Sequence, residues 1–256
     1  MRIISIACLF VLIGCTAQQT VPSENAELKY NPKAAEINVQ LGANYIASKN
    51  YLAADEKLQR ALKQNPKYSK AYWVYAILQE KLEQIDIAEE YYRKAIQIDA
   101  KDSAGMYNYA TFLCRHKRYQ ESVKYYRQTL ADPLYPSRAA AFLRAGLCAM
   151  EIPDYEAAEY FLKETVSLQN DQRVALYQLA KLSFNTNDLV QAKQHMTKFE
   201  SVSEHTVNSL WLAYQIDHKL GNNSSAQRYA DSLRQHYPDS KEAKLLAESV
   251  DESTDR

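Results

Sequence analysis

This chain repeats itself every 34 residues, and few features constrain a fold more. Leu41-Gly42-x-x-Tyr45 is followed by Ala54, Leu58, Ala61 and Pro66. One period later come Tyr75-Ala76, Ala88, Tyr92, Ala95 and Ala100. A third unit gives Tyr109-Ala110, Ser122 and Tyr126, and a fourth Ala145-Gly146, Ala158 and Leu162. A fifth has Leu179-Ala180, Ala192, Met196 and Phe199; a sixth has Ala213-Tyr214, Ala226, Ala230, Leu233 and Pro238. Self-similarity at this spacing means an array of one supersecondary unit, stacked because no single copy buries its own apolar stripe. Unit starts fall near residues 35, 69, 103, 139, 173 and 207, and the units run over 35–68, 69–102, 103–138, 139–172, 173–206 and 207–240. Only the third is longer, by two residues around Asp132-Pro133-Leu134-Tyr135-Pro136.

Each unit reads as two antiparallel helices, A then B, touching at small residues. Counted from each start, position 8 holds Gly42, Ala76, Ala110, Gly146 and Ala180, with Tyr214 as the exception. Position 20 holds Ala54, Ala88, Ala158, Ala192 and Ala226, with Ser122 a near match. Pro66 and Pro238 stand where helix B must stop, and Pro153 and Gly221 at the turn from A to B. The pattern resembles the tetratricopeptide repeat over roughly residues 35–240. That resemblance implies an all-α, right-handed superhelical solenoid of six repeats. Only five glycines occur in 256 residues, a scarcity that suits helices and leaves little for phosphate-binding turns or hairpins. Residues 241–256 are expected to be a tail, with the final DESTDR disordered.

The N-terminus reads as an address. Arg2 precedes an apolar run from Ile3 to Ile13, too short to span a bilayer and suited to the core of a signal peptide. Leu12-Ile13-Gly14-Cys15 resembles the bacterial lipoprotein box. The resemblance implies cleavage after residue 14, lipidation of Cys15 and, with Thr16 rather than Asp next, passage to the outer membrane. Residues 15–34 are polar, contain Pro22 and Pro32, and read as the lipidated N-terminus and a flexible tether. The expected location is the outer membrane, lipid-anchored and facing the periplasm.

Charge and chemistry exclude several functions. Lys+Arg and Asp+Glu number 31 each, and losing Arg2 with the leader leaves 30 against 31. A neutral chain has no electrostatic footprint for nucleic acid. His116, His195, His205, His218 and His236 show no metal-ligand spacing, and no phosphate-binding glycine loop or nucleophile elbow is present. The expectation is a protein without enzymatic activity, cofactor, metal or small-molecule substrate.

A repeat solenoid works through its concave surface. Positions 2, 5, 9 and 12 face that groove in the tetratricopeptide family. Here they supply Val39, Ile46, Trp73, Ile77, Tyr107, Leu143, Leu147, Met150, Tyr177, Phe184 and Trp211. Such an apolar, aromatic row suits a strand or helix of a partner protein. Lys70, Lys81, Arg115 and Lys181 are too dispersed to clamp a charged terminus. The structural alternative is packing between neighbouring A helices. Tyr45, Tyr75, Tyr92, Tyr109 and Tyr126 fall at repeat core positions and are expected to be structural.

Two cysteines remain after processing. Cys114 lies at position 12 of the third helix A and Cys148 at position 10 of the fourth. At about 100° per residue these point in roughly opposite directions, so they face each other across one A–A interface. Helix axes about 8–10 Å apart permit the Cα separation of a disulfide. The expectation is a Cys114–Cys148 bond; two buried free thiols are the alternative.

A narrower resemblance rests on Asn108-Tyr109-Ala110-Thr111-Phe112-Leu113-Cys114, Arg118-Tyr119, Ala131-Asp132-Pro133-Leu134-Tyr135 and Ala145-Gly146-Leu147-Cys148. These segments are similar to the type IV pilus biogenesis lipoproteins PilF and PilW, with Ala110 and Arg144 as departures. The resemblance implies a pilotin that binds the secretin subunit and promotes its localisation and multimerisation in the outer membrane. It also points to the first repeats, hence to Val39, Ile46, Trp73 and Ile77. On that reading Trp73→Ala or Ile46→Asp weakens secretin binding without unfolding the array. The alternatives are a lipid-anchored scaffold for outer-membrane protein assembly or envelope enzymes, and a pilus-stability factor that never touches the secretin.

Overall fold

A computed structural model describes residues 30–152, 154–168 and 172–254. The expected signal peptide, Cys15 and all of the tether before Tyr30 lie outside the described residues, as does Pro153. Among those described there are thirteen helices and no strand: α1 Pro32–Ala47, α2 Tyr51–Gln64, α3 Ser69–Lys81, α4 Ile85–Ile98, α5 Ser103–Arg115, α6 Tyr119–Leu130, α7 Arg138–Ala149, α8 Tyr155–Ser167, α9 Gln172–Asn185, α10 Leu189–Glu200, α11 Val207–Lys219, α12 Asn223–His236 and α13 Lys241–Thr254. The first twelve form six antiparallel A–B pairs. Each B helix also packs on the next A helix, so a succession of apolar clusters runs the length of a right-handed solenoid.

Local chemistry sets the helix ends. Asn31, Asn50, Asp102, Asp154, Asp188 and Thr206 each accept a backbone N–H of the first turn, satisfying a donor the helix itself cannot. Pro66 and Pro238 follow the ends of α2 and α12 by two residues. Five A–B turns place their position-15 residue at φ between 60° and 75°: Lys49, Glu83, Lys117, Asn187 and Gly221. Only the last is glycine; the other four hold an L side chain in the left-handed region.

Size complementarity joins the two helices of each pair. A Cβ on Gly42 would lie 2.5 Å from Leu58 Cγ, and one on Gly146 would lie 2.8 Å from Leu162 Cγ. Position 8 therefore faces position 24, and the remaining pairs are Ala76 with Tyr92, Ala110 with Tyr126 and Ala180 with Met196. In the sixth unit the sizes are exchanged: Tyr214 stands at position 8 and Ala230 at position 24, both in the same apolar cluster. The Tyr214 exception is thus a reversal of the same contact.

The buried tyrosines are held at their hydroxyls. Tyr75 OH donates to Asp55 Oδ1 and Tyr109 OH to Glu89 Oε1, both at 3.0 Å, and in each case the acid belongs to the preceding repeat. Tyr92 OH donates to Glu80 Oε1 at 2.7 Å, and Tyr126 OH shares a 3.0 Å bond with Thr111 Oγ1. Burial first, then these carboxylates, push Tyr75 and Tyr109 up to about 12.

The expected tail is corrected at residues 241–254. Ser240 Oγ accepts the Ala243 N–H, and α13 then lays Ala243 and Leu246 into the end of the array, beside Leu210, Ala230 and Leu233. The last repeat would otherwise leave that apolar surface bare, and α13 covers it.

Candidate functional site

Ten of the eleven groove residues are half-buried: Ile46, Trp73, Ile77, Tyr107, Leu143, Leu147, Met150, Tyr177, Phe184 and Trp211. Val39 is not among them. It is 1% exposed, enclosed with Ala54, Leu58, Ala71 and Val74 in the core of the first two repeats. Trp73, Tyr107 and Trp211 at the same repeat position are larger and reach outward, whereas valine ends inside the interface. Val39 therefore offers no surface to a partner, and its assignment to the groove is corrected.

Trp73 has a structural duty as well as an exposed part. Its indole Nε1–H donates to Asp102 Oδ2 at 3.0 Å, and Ser69 Oγ donates to the same oxygen at 2.7 Å. Asp102 Oδ1 accepts the Gly105 N–H, capping α5. A Cβ on Gly105 would stand 3.1 Å from Trp73 Cδ1, so glycine there is explained by the indole lying over it. This knot joins the second and third repeats, and Trp73 packs against apolar clusters on both sides. Removing the indole therefore removes contacts inside the array as well as outward-facing surface.

The third and fourth repeats are joined covalently. Cys114, at the end of α5, is disulfide-bonded to Cys148 of α7, with a Cα–Cα distance of 6.0 Å. A polar network ties α4 to the turn before α6. Arg118 donates to Glu89 at 2.6 Å and to both Glu121 oxygens at 2.7 Å, while Arg93 and Tyr109 also donate to Glu89. Burial by itself raises the Glu89 carboxyl, but hydrogen bonds from Arg118, Arg93 and Tyr109 overcome it and hold the group at about 2. Further along, Lys193 Nζ lies 2.7 Å from the fully buried Asp217, which also accepts Asn222 Nδ2. Near the same end Glu200 accepts Tyr229 OH and contacts His205 Nε2.

An exposed apolar stripe on α1 escaped the repeat-based reading. Ile37 is 53% exposed and Leu41 37%, with Tyr30 just before the helix at 70%. Among the described residues, no repeat packs on this side of the first helix. The signal was available in the i, i+4 spacing of Ile37 and Leu41, at positions the family pattern does not assign to the groove.

The arrangement offers half-buried apolar and aromatic side chains repeated along the A helices, an exposed apolar stripe on α1, and ionic ties inside the array. Among the described residues, no group of three His, Cys, Asp or Glu side chains is placed to hold a metal ion. No helix among them is long and apolar enough to cross a membrane.

Comparison with known proteins gives a consistent placement. The tetratricopeptide repeat family signature matches residues 39–103 and 113–172. The type IV pilus assembly protein PilF of Pseudomonas aeruginosa is 26% identical over 239 residues, 92% of this chain and 95% of that protein. Its solved structure superposes with a TM-score of 0.70, covering 84% of this chain and 98% of that one. The crystal structure of PilW, a widely conserved type IV pilus biogenesis factor, is 30% identical, with a TM-score of 0.68 over 85% of this chain and all of that one.

Proposed function

This chain belongs to the PilF/PilW-like family of tetratricopeptide-repeat proteins of type IV pilus biogenesis, and from that premise we propose that it is a pilotin. In this reading it is a lipoprotein of the outer membrane, anchored through Cys15 and facing the periplasm. It binds the secretin subunit of the pilus machinery and promotes its localisation and multimerisation. The observation that carries the proposal is the likeness to PilF and PilW along almost the entire solenoid. Two features of the chain support it. Gly14-Cys15 ends an apolar leader of signal-peptide length. The N-terminal repeats also present Ile37, Leu41, Ile46, Trp73 and Ile77 with apolar surface still open to a partner.

Each part acts by a simple physical means. The lipid supplies the address, the polar segment before α1 supplies reach, and the apolar residues exclude water when a partner segment lies on them. No group needs to react with anything.

The test is co-purification. The full-length chain, extracted in detergent, is expected to retain the secretin. The double variant Ile37→Asp and Leu41→Asp should lose it with an unchanged melting temperature, since both side chains already meet solvent. Retention of the secretin by that variant, or its absence from the wild-type eluate, refutes the reading. In parallel, Cys15→Ser should leave the leader attached and the protein without acyl chains, so that its mass differs from that of the wild type. An unchanged mass refutes the anchor.

A further inference from the structure

In the first three repeats of this chain a side chain of the linker to the next repeat packs at or near the position-5 residue of helix A. Tyr68 packs against the cluster containing Val39. Asp102 sits over Trp73 and bonds it. In the third repeat the two-residue expansion brings in Tyr135, which is 8% exposed and packs on Tyr107 with ring centroids 5.9 Å apart. The fifth repeat is built differently. Its linker, residues 201–206, is two residues longer than the four-residue linkers that follow α2 and α4, and the ring it sends inward, His205, packs beside Phe199 and Tyr229 with centroids 5.8 and 5.6 Å apart. Beside it is a cavity of about 630 Å³ lined by Tyr177, by the apolar Val174, Phe199 and Val202, and by Arg173, Glu204 and Asn208, which are exposed.

The polar groups lining this cavity divide into those with protein partners and those without. His205 is fixed by Ser209 and Glu200. By contrast, Arg173, Asn208 and the Tyr177 hydroxyl make no side-chain hydrogen bond or ion pair among the described residues, and Glu204 on the linker forms none with Arg173. The first turns of α9 and α11 carry Arg173 and Asn208, so two positive helix ends flank the mouth beside a free guanidinium.

We propose that this cavity is a docking site for an extended segment of a partner protein that carries an aromatic side chain next to a carboxylate. The ring takes the place over Tyr177 that Tyr135 occupies over Tyr107, and the carboxylate meets Arg173. The occupant is a segment of a partner protein; residues 15–29 and 248–256 of this chain offer no aromatic ring for it. The site lies in the fifth and sixth repeats, away from Ile37, Leu41 and Ile46, and it stands whether or not the N-terminal repeats hold the secretin.

The experiment uses the full chain in detergent and a fluorescein-labelled octapeptide with one tyrosine followed by one aspartate in a glycine–serine background. Anisotropy is expected to rise to saturation with the wild type. Arg173→Glu, at an exposed position, should weaken binding about tenfold or more, and replacing the peptide aspartate by lysine should restore part of it. Val202→Trp, which fills the space, should abolish binding while leaving the thermal transition in place. Equal affinity for wild type and Arg173→Glu overturns the proposal. So does equal affinity for a peptide with alanine in place of tyrosine, or no binding at roughly 1 mM. A concentration-dependent dimer that Arg173→Glu abolishes, without peptide binding, puts a second copy of the chain in the cavity and also overturns it.

Discussion

Gly42 and Glu89 show how a single residue acts in a repeat array. At Gly42 alanine would ordinarily favour a helix by about 1 kcal/mol. Here its Cβ would press against Leu58 Cγ at 2.5 Å, so Gly42→Ala is expected to destabilise by about 1–3 kcal/mol, read from urea denaturation. Glu89 is a matter of pH. Its carboxyl is held at about 2 in the folded chain against an ordinary value of 4.5. A depressed carboxyl contributes stability that is present above the unfolded value and is lost as the pH falls through the folded one. Wild-type stability should therefore drop as the pH is lowered from about 5.5 toward 2, and Glu89→Gln should flatten that part of the profile while costing stability at neutral pH. Parallel profiles for the two proteins would refute the assignment. Both roles were half legible in the chain. Glycine at position 8 follows from the period, whereas the pairing of Glu89 with Arg118, Arg93 and Tyr109 brings together side chains from two helices and a turn, which no one-dimensional pattern orders.

At the scale of the element, the A–B turns and the terminal helix behave independently of the groove. Lys117 occupies the left-handed region at φ 60° and its side chain is exposed. A non-glycine residue there costs about 1–2 kcal/mol, so Lys117→Gly should raise the melting temperature by about 2–4 °C, less what the more flexible unfolded chain gives back. The helix α13 closes the array through Leu246, which is 2% exposed. Leu246→Asp puts a carboxylate into that contact, and amide exchange in α12 and α13 should accelerate while α1–α8 are unchanged. Helices recurring every 34 residues announce themselves by periodicity. A single helix beyond the last repeat has no second copy to align with, and its short apolar pattern reads as tail.

The whole molecule is a one-dimensional stack, so what joins neighbours governs what the stack can do. Its architecture was readable from the sequence because each small residue at position 8 or 20 answers to the same contact, repeat after repeat. The candidate surface was less so. Val39 shares a repeat position with Trp73, Tyr107 and Trp211, but exposure depends on side-chain length and on what the next repeat lays over it. The open cavity over Tyr177 depends on a linker whose His205 ring lies beside Phe199 and Tyr229, a property of backbone path that residue identity does not carry. The bond between Cys114 and Cys148 closes a separation of 34 residues and should contribute about 3–4 kcal/mol. Cys114→Ser is expected to lower the unfolding free energy by about that amount, read from the denaturant midpoint and slope, and to match the reduced wild type; an equal midpoint for oxidised and reduced protein would sink this.

That bond also bridges the longest linker among the described residues, 131–137, where Leu134 is 86% exposed. A protease that cuts after Leu134 therefore severs the polypeptide without parting its halves. At the envelope location proposed above, where degradative enzymes meet exposed loops, the nicked protein keeps its N-terminal and C-terminal repeats in one particle, and only a reductant lets them go.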